Sequence, residues 1–113
     1  MNDKEALDDQ LNNLILELRR GVITLAVLSQ LHTEHYGYSL TKVLSEIGLD
    51  VEQGTLYPLL RRLESKGLLE SDWNVEGSRP RRYYKISSLG AELLTELKKE
   101  WAQLAQVMER MLS

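Results

Sequence analysis

Apolar residues recur along this chain at helical spacing over most of its length, and only one short region has the look of paired strands. Leu7, Leu11, Leu14, Ile15 and Leu18 form a stripe three and four residues apart. They predict a helix over residues 3–18, capped by Asn2 or Asp3 and carrying acids in its first turn. Arg19-Arg20-Gly21 then predicts a break, because glycine is a poor helix former. Residues 22–33 are apolar almost all round (Val22, Ile23, Leu25, Ala26, Val27, Leu28, Leu31), as a central buried helix would be. A short helix beginning at Tyr38 or Ser39 and ending at Ile47 turns Leu40, Val43, Leu44 and Ile47 inward, and Gly48-Leu49-Asp50 follows as a turn. Residues 55–67 carry the next stripe, Leu56, Leu59, Leu60 and Leu63, with Gly67 as the expected stop. Residues 68–73 and 82–87 read as two strands around a turn rich in Asn, Gly, Ser and Pro. Ser87 or Ser88 caps a last helix reaching Leu112. Its Leu94, Leu97, Trp101, Leu104, Met108 and Met111 alternate steps of three and four, an a/d seam.

The helix at 55–67 carries chemistry on its other face: Thr55, Pro58, Arg61, Arg62 and Ser65. Gln53, Gly54 and Thr55 lie at its start, where free backbone N–H groups and the helix dipole favour a phosphate. Pro58, which has no N–H, is tolerated only in the first turn, so the helix cannot begin much before Gly54. Arginines on a surface helix are by themselves commonly just solvated. Here a hairpin with Arg79, Arg81 and Arg82 at its tip follows directly. Helix plus basic hairpin is the plan of a winged helix-turn-helix, in which the helix enters the major groove and the wing grips backbone or minor groove. Tyr57 joins the helix contacts, and Ser39 and Lys42, with Thr41, stand near the start of the preceding helix, where they can hold phosphate.

The runs GTLYPLLRRLESKGLLE, EGSRPRRYYKIS and YGYSL together closely resemble the PadR family of bacterial transcriptional regulators. The resemblance covers residues 18–113. It implies a mainly α fold with a small β-hairpin, a winged helix-turn-helix; the N- and C-terminal helices around it are read from their apolar stripes as dimerisation helices. In that family Tyr36-Gly37-Tyr38 opens the second helix. A small phenolic or flat hydrophobic effector, bound near the dimer interface, commonly loosens DNA. Members often begin near position 18, so the helix at 3–18 is a departure.

Composition sharpens this. The 113 residues make one domain by length, without Phe, so Leu, Val and Ile must build the core. With no cysteine there is no thiol chemistry, no apolar run is long enough to span a bilayer, and the start of the chain is acidic, unlike a signal peptide. The expectation is a cytoplasmic protein without membrane contact. The net charge of −3 argues against nucleic acid only when averaged. Residues 54–85 hold seven Lys/Arg and four acids, a balance of +3, against −6 for the rest. Charge so segregated suggests a positive face on an acidic body.

Other features have plainer readings. Arg19 and Arg20 are read as solvated, Tyr36 and Tyr38 as packing groups, Gly37 as a tight turn, and Trp73 as packed at the base of the wing. His32 and His35 lack a third ligand, so neither a metal nor a cofactor is expected. Ser/His and Asp/His pairs occur in no catalytic motif, which sets an enzyme aside.

A sustained seam implies a facing helix, so the expected assembly is a homodimer. Leu7, Leu11, Leu14, Leu94, Leu97, Trp101, Leu104, Met108 and Met111 would line its interface. Residues 1–20 and 87–113 would serve it, while 21–86 bind DNA. Trp101, Leu97 and Met108 are candidates for an effector pocket, against the plainer reading that Trp101 fills the dimer core. The function expected is a regulator, read as a repressor, on a pseudo-palindromic DNA operator. The competing reading is a winged domain that docks proteins and never meets DNA.

Overall fold

A computed structural model describes residues 2–77 and 79–113. Helix α1 (Asp3–Gln30) begins where the Asn2 side chain accepts a 2.8 Å bond from the Glu5 N–H, with Asp3 and Glu5 favouring the positive end of the dipole. It runs 28 residues without the break expected at Arg19-Arg20-Gly21. One glycine costs about 1 kcal/mol relative to alanine, too little to interrupt a helix capped at one end and packed at the other. Within its C-terminal half only Val27 and Leu28 are fully buried; Ile23, Leu25 and Ala26 pack half-exposed against the core. The all-round burial expected for 22–33 therefore does not occur, because so small a domain covers one side of the helix.

The second helix, α2 (Gly37–Ile47), buries Leu40 and Leu44 and ends at Gly48, whose φ of 117° is a left-handed cap. Val43 is half-buried, but Ile47, expected to face inward, is 69% exposed at the end of the helix. The third helix, α3 (Gln53–Ser65), buries Leu56, Leu59, Leu60 and Leu63. It starts slightly earlier than predicted. Pro58 lies past its first turn, and the intrahelical bond it cannot make falls on the exposed side. The end of α3 is a Schellman closure: Gly67 N–H bonds Glu64 O and Leu68 N–H bonds Leu63 O, with Gly67 at φ 78°.

Strands β1 (Leu69–Asn74) and β2 (Arg81–Ile86) pair antiparallel, Leu69 opposite Ile86 and Asn74 opposite Arg81. His35 adds an isolated bridge that the sequence reading lacked, exchanging both backbone bonds with Tyr84. Helix α4 (Ser88–Leu112) is capped by Ser87, whose hydroxyl accepts from Gly90 N–H and donates to the Gly67 carbonyl at 2.6 Å. That bond ties the start of α4 to the end of α3. No side chain fits at Gly90, since a Cβ would fall on the Leu68 carbonyl oxygen and 2.8 Å from Ile86.

The core joins Val27, Leu28 and Leu31 to the apolar faces of α2 and α3, to Leu69, Tyr84 and Ile86, and to Leu94 of α4. Leu94 is thus an internal core residue rather than a member of an outer seam, and Leu97 packs partly against the same core. Beyond them Trp101, Leu104, Met108 and Met111 are exposed, as are Leu7, Leu11, Leu14 and Leu18 of α1.

Candidate nucleic-acid interface

Leucines turn one face of α3 inward, and the 3.6-residue repeat then sends Gly54, Pro58, Arg61 and Ser65 outward. Gln53 and Tyr57 flank this outer face on the wing side, while Thr55 and Arg62 flank it on the other. A cleft of about 560 Å³ opens between the α2 start, α3 and the wing. Gln53, Tyr57 and Arg61 meet Arg79, Arg81 and Arg82 there, beside Tyr36 and Tyr38. Thr55 and Lys42 lie instead on a larger groove of about 960 Å³ between α1 and α2, shared with Arg19 and Arg20. Gly54, Pro58, Arg62 and Arg79 are exposed.

Several expected roles change. The Ser39 hydroxyl is engaged internally, donating to Tyr36 O at 3.0 Å and lying 3.1 Å from His35 Nδ1. Arg19, read as solvated, reaches the Asp50 carbonyl in the turn before α3, at 2.5 Å from Nη2. Asp50 in turn accepts from the Ser45 hydroxyl at 2.7 Å. Gly37 has no positive φ and serves no turn by its backbone. Its missing side chain is what matters: a Cβ would enter the ring of Tyr57, 2.6 Å from Cζ. Tyr36 packs edge-on to Tyr83 at 5.4 Å and carries the Arg81 guanidinium 4.5 Å over its ring. Tyr38 stacks on Tyr36 at 6.5 Å but is largely exposed, more so than a packing role implies.

Arg82 departs furthest from expectation. Its Nη2 pairs with Glu64 Oε1 at 2.7 Å, and its Nε donates to Ser71 Oγ at 3.0 Å. The Ser71 hydroxyl donates to the second Glu64 oxygen. The guanidinium also lies 5.9 Å over Trp73 and 5.5 Å over Tyr84. Arg82 is therefore not a free cation at the wing tip. Strand alternation carried that signal: residues 82, 84 and 86 share one face, and Tyr84 and Ile86 are buried on it. Nothing in the sequence names Glu64 as its partner. Trp73 is on the same face but past the edge of the core, 63% exposed, so it does not pack under the wing as expected. Burial raises the Tyr84 hydroxyl pKa above 10.0, with Glu64 adding to the rise and the cations Arg82 and Arg61 opposing it.

The candidate effector residues do not share one setting, since Leu97 packs on the core while Trp101 and Met108 are exposed. Among the described residues no group of His, Cys, Asp or Glu is arranged to hold a metal ion, and no helix is long and apolar enough to cross a membrane.

Comparison with known proteins agrees with this geometry. The model of the transcriptional regulator PadR-like family matches residues 24–96. A crystal structure of a PadR family transcriptional regulator from Eggerthella lenta is 45% identical and superposes with a TM-score of 0.87, covering 96% of this chain and 97% of that one. The transcriptional regulator Rv3488 of Mycobacterium tuberculosis is 40% identical over 91 residues, 80% of this chain and 85% of that protein. A PadR-like transcription factor from Bacteroides fragilis has a TM-score of 0.74 at 33% identity, over 88% of this chain and 98% of that one. The matched region holds the helix-turn-helix, the wing and the start of α4, and its relatives are regulators rather than enzymes. This chain belongs to the PadR-like family of transcriptional regulators.

Proposed function

We propose that the protein is a cytoplasmic homodimer that reads a pseudo-palindromic duplex operator and represses transcription until a small hydrophobic or phenolic effector releases it. The observation that carries the DNA reading is convergence: Gln53, Tyr57 and Arg61 of α3 share one cleft with Arg79 and Arg81 of the wing. In this reading α3 lies in the major groove, with Arg61 towards base edges and Gln53, Gly54, Thr55, Pro58 and Arg62 towards bases or the flanking phosphates. Arg79 and Arg81 seat the wing, and Lys42 meets the backbone beside α2. Residues 21–86 bind DNA; the first half of α1 and the outer part of α4 join the subunits. Two such units lying across an operator would occlude it, which is the basis for reading repression. An effector would act at Trp101, Leu97 and Met108 by altering how the two subunits sit.

Fluorescence anisotropy on duplex DNA from the protein's own promoter tests this. Arg61→Ala should cost about 1–3 kcal/mol of operator binding. Arg79→Ala should weaken all sequences alike and lower the salt dependence of log K by about one unit. If neither substitution changes affinity or salt dependence, the surface is misassigned. If the parent protein shows no salt-sensitive duplex binding, a protein-docking role becomes the better reading.

A further inference from the structure

Arg82, Glu64 and Ser71 come from three different elements, β2, α3 and β1, and close a triangle of hydrogen bonds. The base of the wing is held by Leu69, Tyr84 and Ile86 in the core, by the His35 bridge and by the Ile86 N–H bond to the Leu31 carbonyl. The sheet has two strands, a hairpin of this kind is marginal on its own, and the Arg82 triangle ties it by side chains directly to α3. The Arg82–Glu64 side chains are 37% and 26% exposed, so the pair is partly shielded from water. Two rings lie against the guanidinium. A guanidinium neutralised by a carboxylate and held between rings is committed to the protein. Arg79 and Arg81 stay exposed on the same wing.

We propose that Arg82 is a positioning residue: through Glu64 and Ser71 it holds the wing at a set distance from α3, and so selects which spacing of groove and backbone contacts the protein accepts. The inference rests on α3 and the wing being the DNA face. It assigns Glu64, an acid on α3, a favourable role in binding a polyanion. Simple charge arithmetic gives the opposite sign, because removing a carboxylate from that helix should tighten DNA binding.

The test uses the full chain and the same promoter duplex. Glu64→Met should weaken operator binding about tenfold, although it removes negative charge, and Arg82→Met should do the same. Glu64→Asp keeps the charge but shortens the reach, and should lose nearly as much. The exchange Glu64→Arg with Arg82→Glu should recover most of the affinity. In a Trp101→Phe background Trp73 is the remaining tryptophan, and its quenching by iodide should rise in Glu64→Met as the wing loosens. Operator binding by Glu64→Met as tight as the parent's, or tighter, overturns the proposal. So does a loss confined to Arg82 variants, which would mean that Arg82 meets DNA itself. Arg61→Ala separates the two failures: if it weakens binding and Glu64→Met does not, only the positioning role falls. If the parent does not bind the duplex, both readings fall.

Discussion

Tyr84 joins the core to the candidate interface. It is 4% exposed, its backbone pairs with His35 in both directions, and Arg82 lies against its ring. Burial disfavours the phenolate, so the folded chain holds this proton to higher pH than the unfolded chain does. Below pH 10 both states are protonated and the difference has no effect. As pH rises above 10 the unfolded state loses the proton first, and stability falls until the raised folded value is passed. Urea midpoints measured near pH 9 and near pH 10.5 should therefore drop in the parent and drop less in Tyr84→Phe, given a reference tyrosine pKa of about 10. An equal drop in both would assign the alkaline loss to other groups. Gly37 gives a second lesson at this scale. A glycine beside two tyrosines reads as a turn, but its reason is the Tyr57 ring twenty residues away, and no local pattern announces a contact of that range.

Elements were far more legible than their partners. Among the described residues, periodicity placed α2, α3, α4 and both strands and covered α1 as two helices rather than one, because each element buries one apolar stripe or one strand face. It could not separate Leu94 from Trp101: the two share a helical phase, but one meets the core of its own chain and the other meets solvent. Of the candidate DNA contacts, Gln53, Tyr57 and Arg61 share a cleft with Arg79, Arg81 and Arg82, whereas Thr55 and Lys42 line a second groove. The Arg82 guanidinium is paired with Glu64 on the face of β2 opposite to Arg81, because the pleat turns alternate residues to opposite sides. The break assigned at Gly21 failed for an energetic reason. Local propensity of about 1 kcal/mol is outweighed by a helix anchored at Asn2 and again at Val27 and Leu28. Gly21 has no positive φ, is exposed, and leaves open space where a Cβ would stand. Gly21→Ala should therefore stabilise the chain by about 0.5–1 kcal/mol in a denaturant melt. Destabilisation instead would indicate that a second subunit packs closely over Gly21.

For the molecule as a whole, the telling feature is apolar surface on α1 and α4 that the chain's own core leaves uncovered. Leu7, at 64% exposure, stands with Leu11, Leu14 and Leu18 on α1; Trp101, at 50%, stands with Leu104, Met108 and Met111 on α4. Isolated exposed leucines need no explanation, but two long stripes are the pattern of a buried interface. Burying such a side chain completely contributes about 1.5–3 kcal/mol; these are already partly covered and gain part of that, so both stripes together are needed to offset the cost of association. The same continuous α1 bears the exposed leucines and, through Arg19, bonds the turn that leads into α3. A two-fold arrangement must place two α3 helices roughly 34 Å apart to meet successive major grooves, and a chain 53 Å in its longest dimension is large enough to set that separation. Leu104→Glu places a charge in the α4 stripe without touching the core or the DNA face. Sedimentation should give twice the chain mass for the parent and the single mass for this variant. Its operator affinity should fall about 100-fold or more, because each half-site must then be bound without the other. A variant that remains dimeric would put the interface elsewhere, and a monomer that keeps full affinity would show that one α3 and one wing are enough to read the operator.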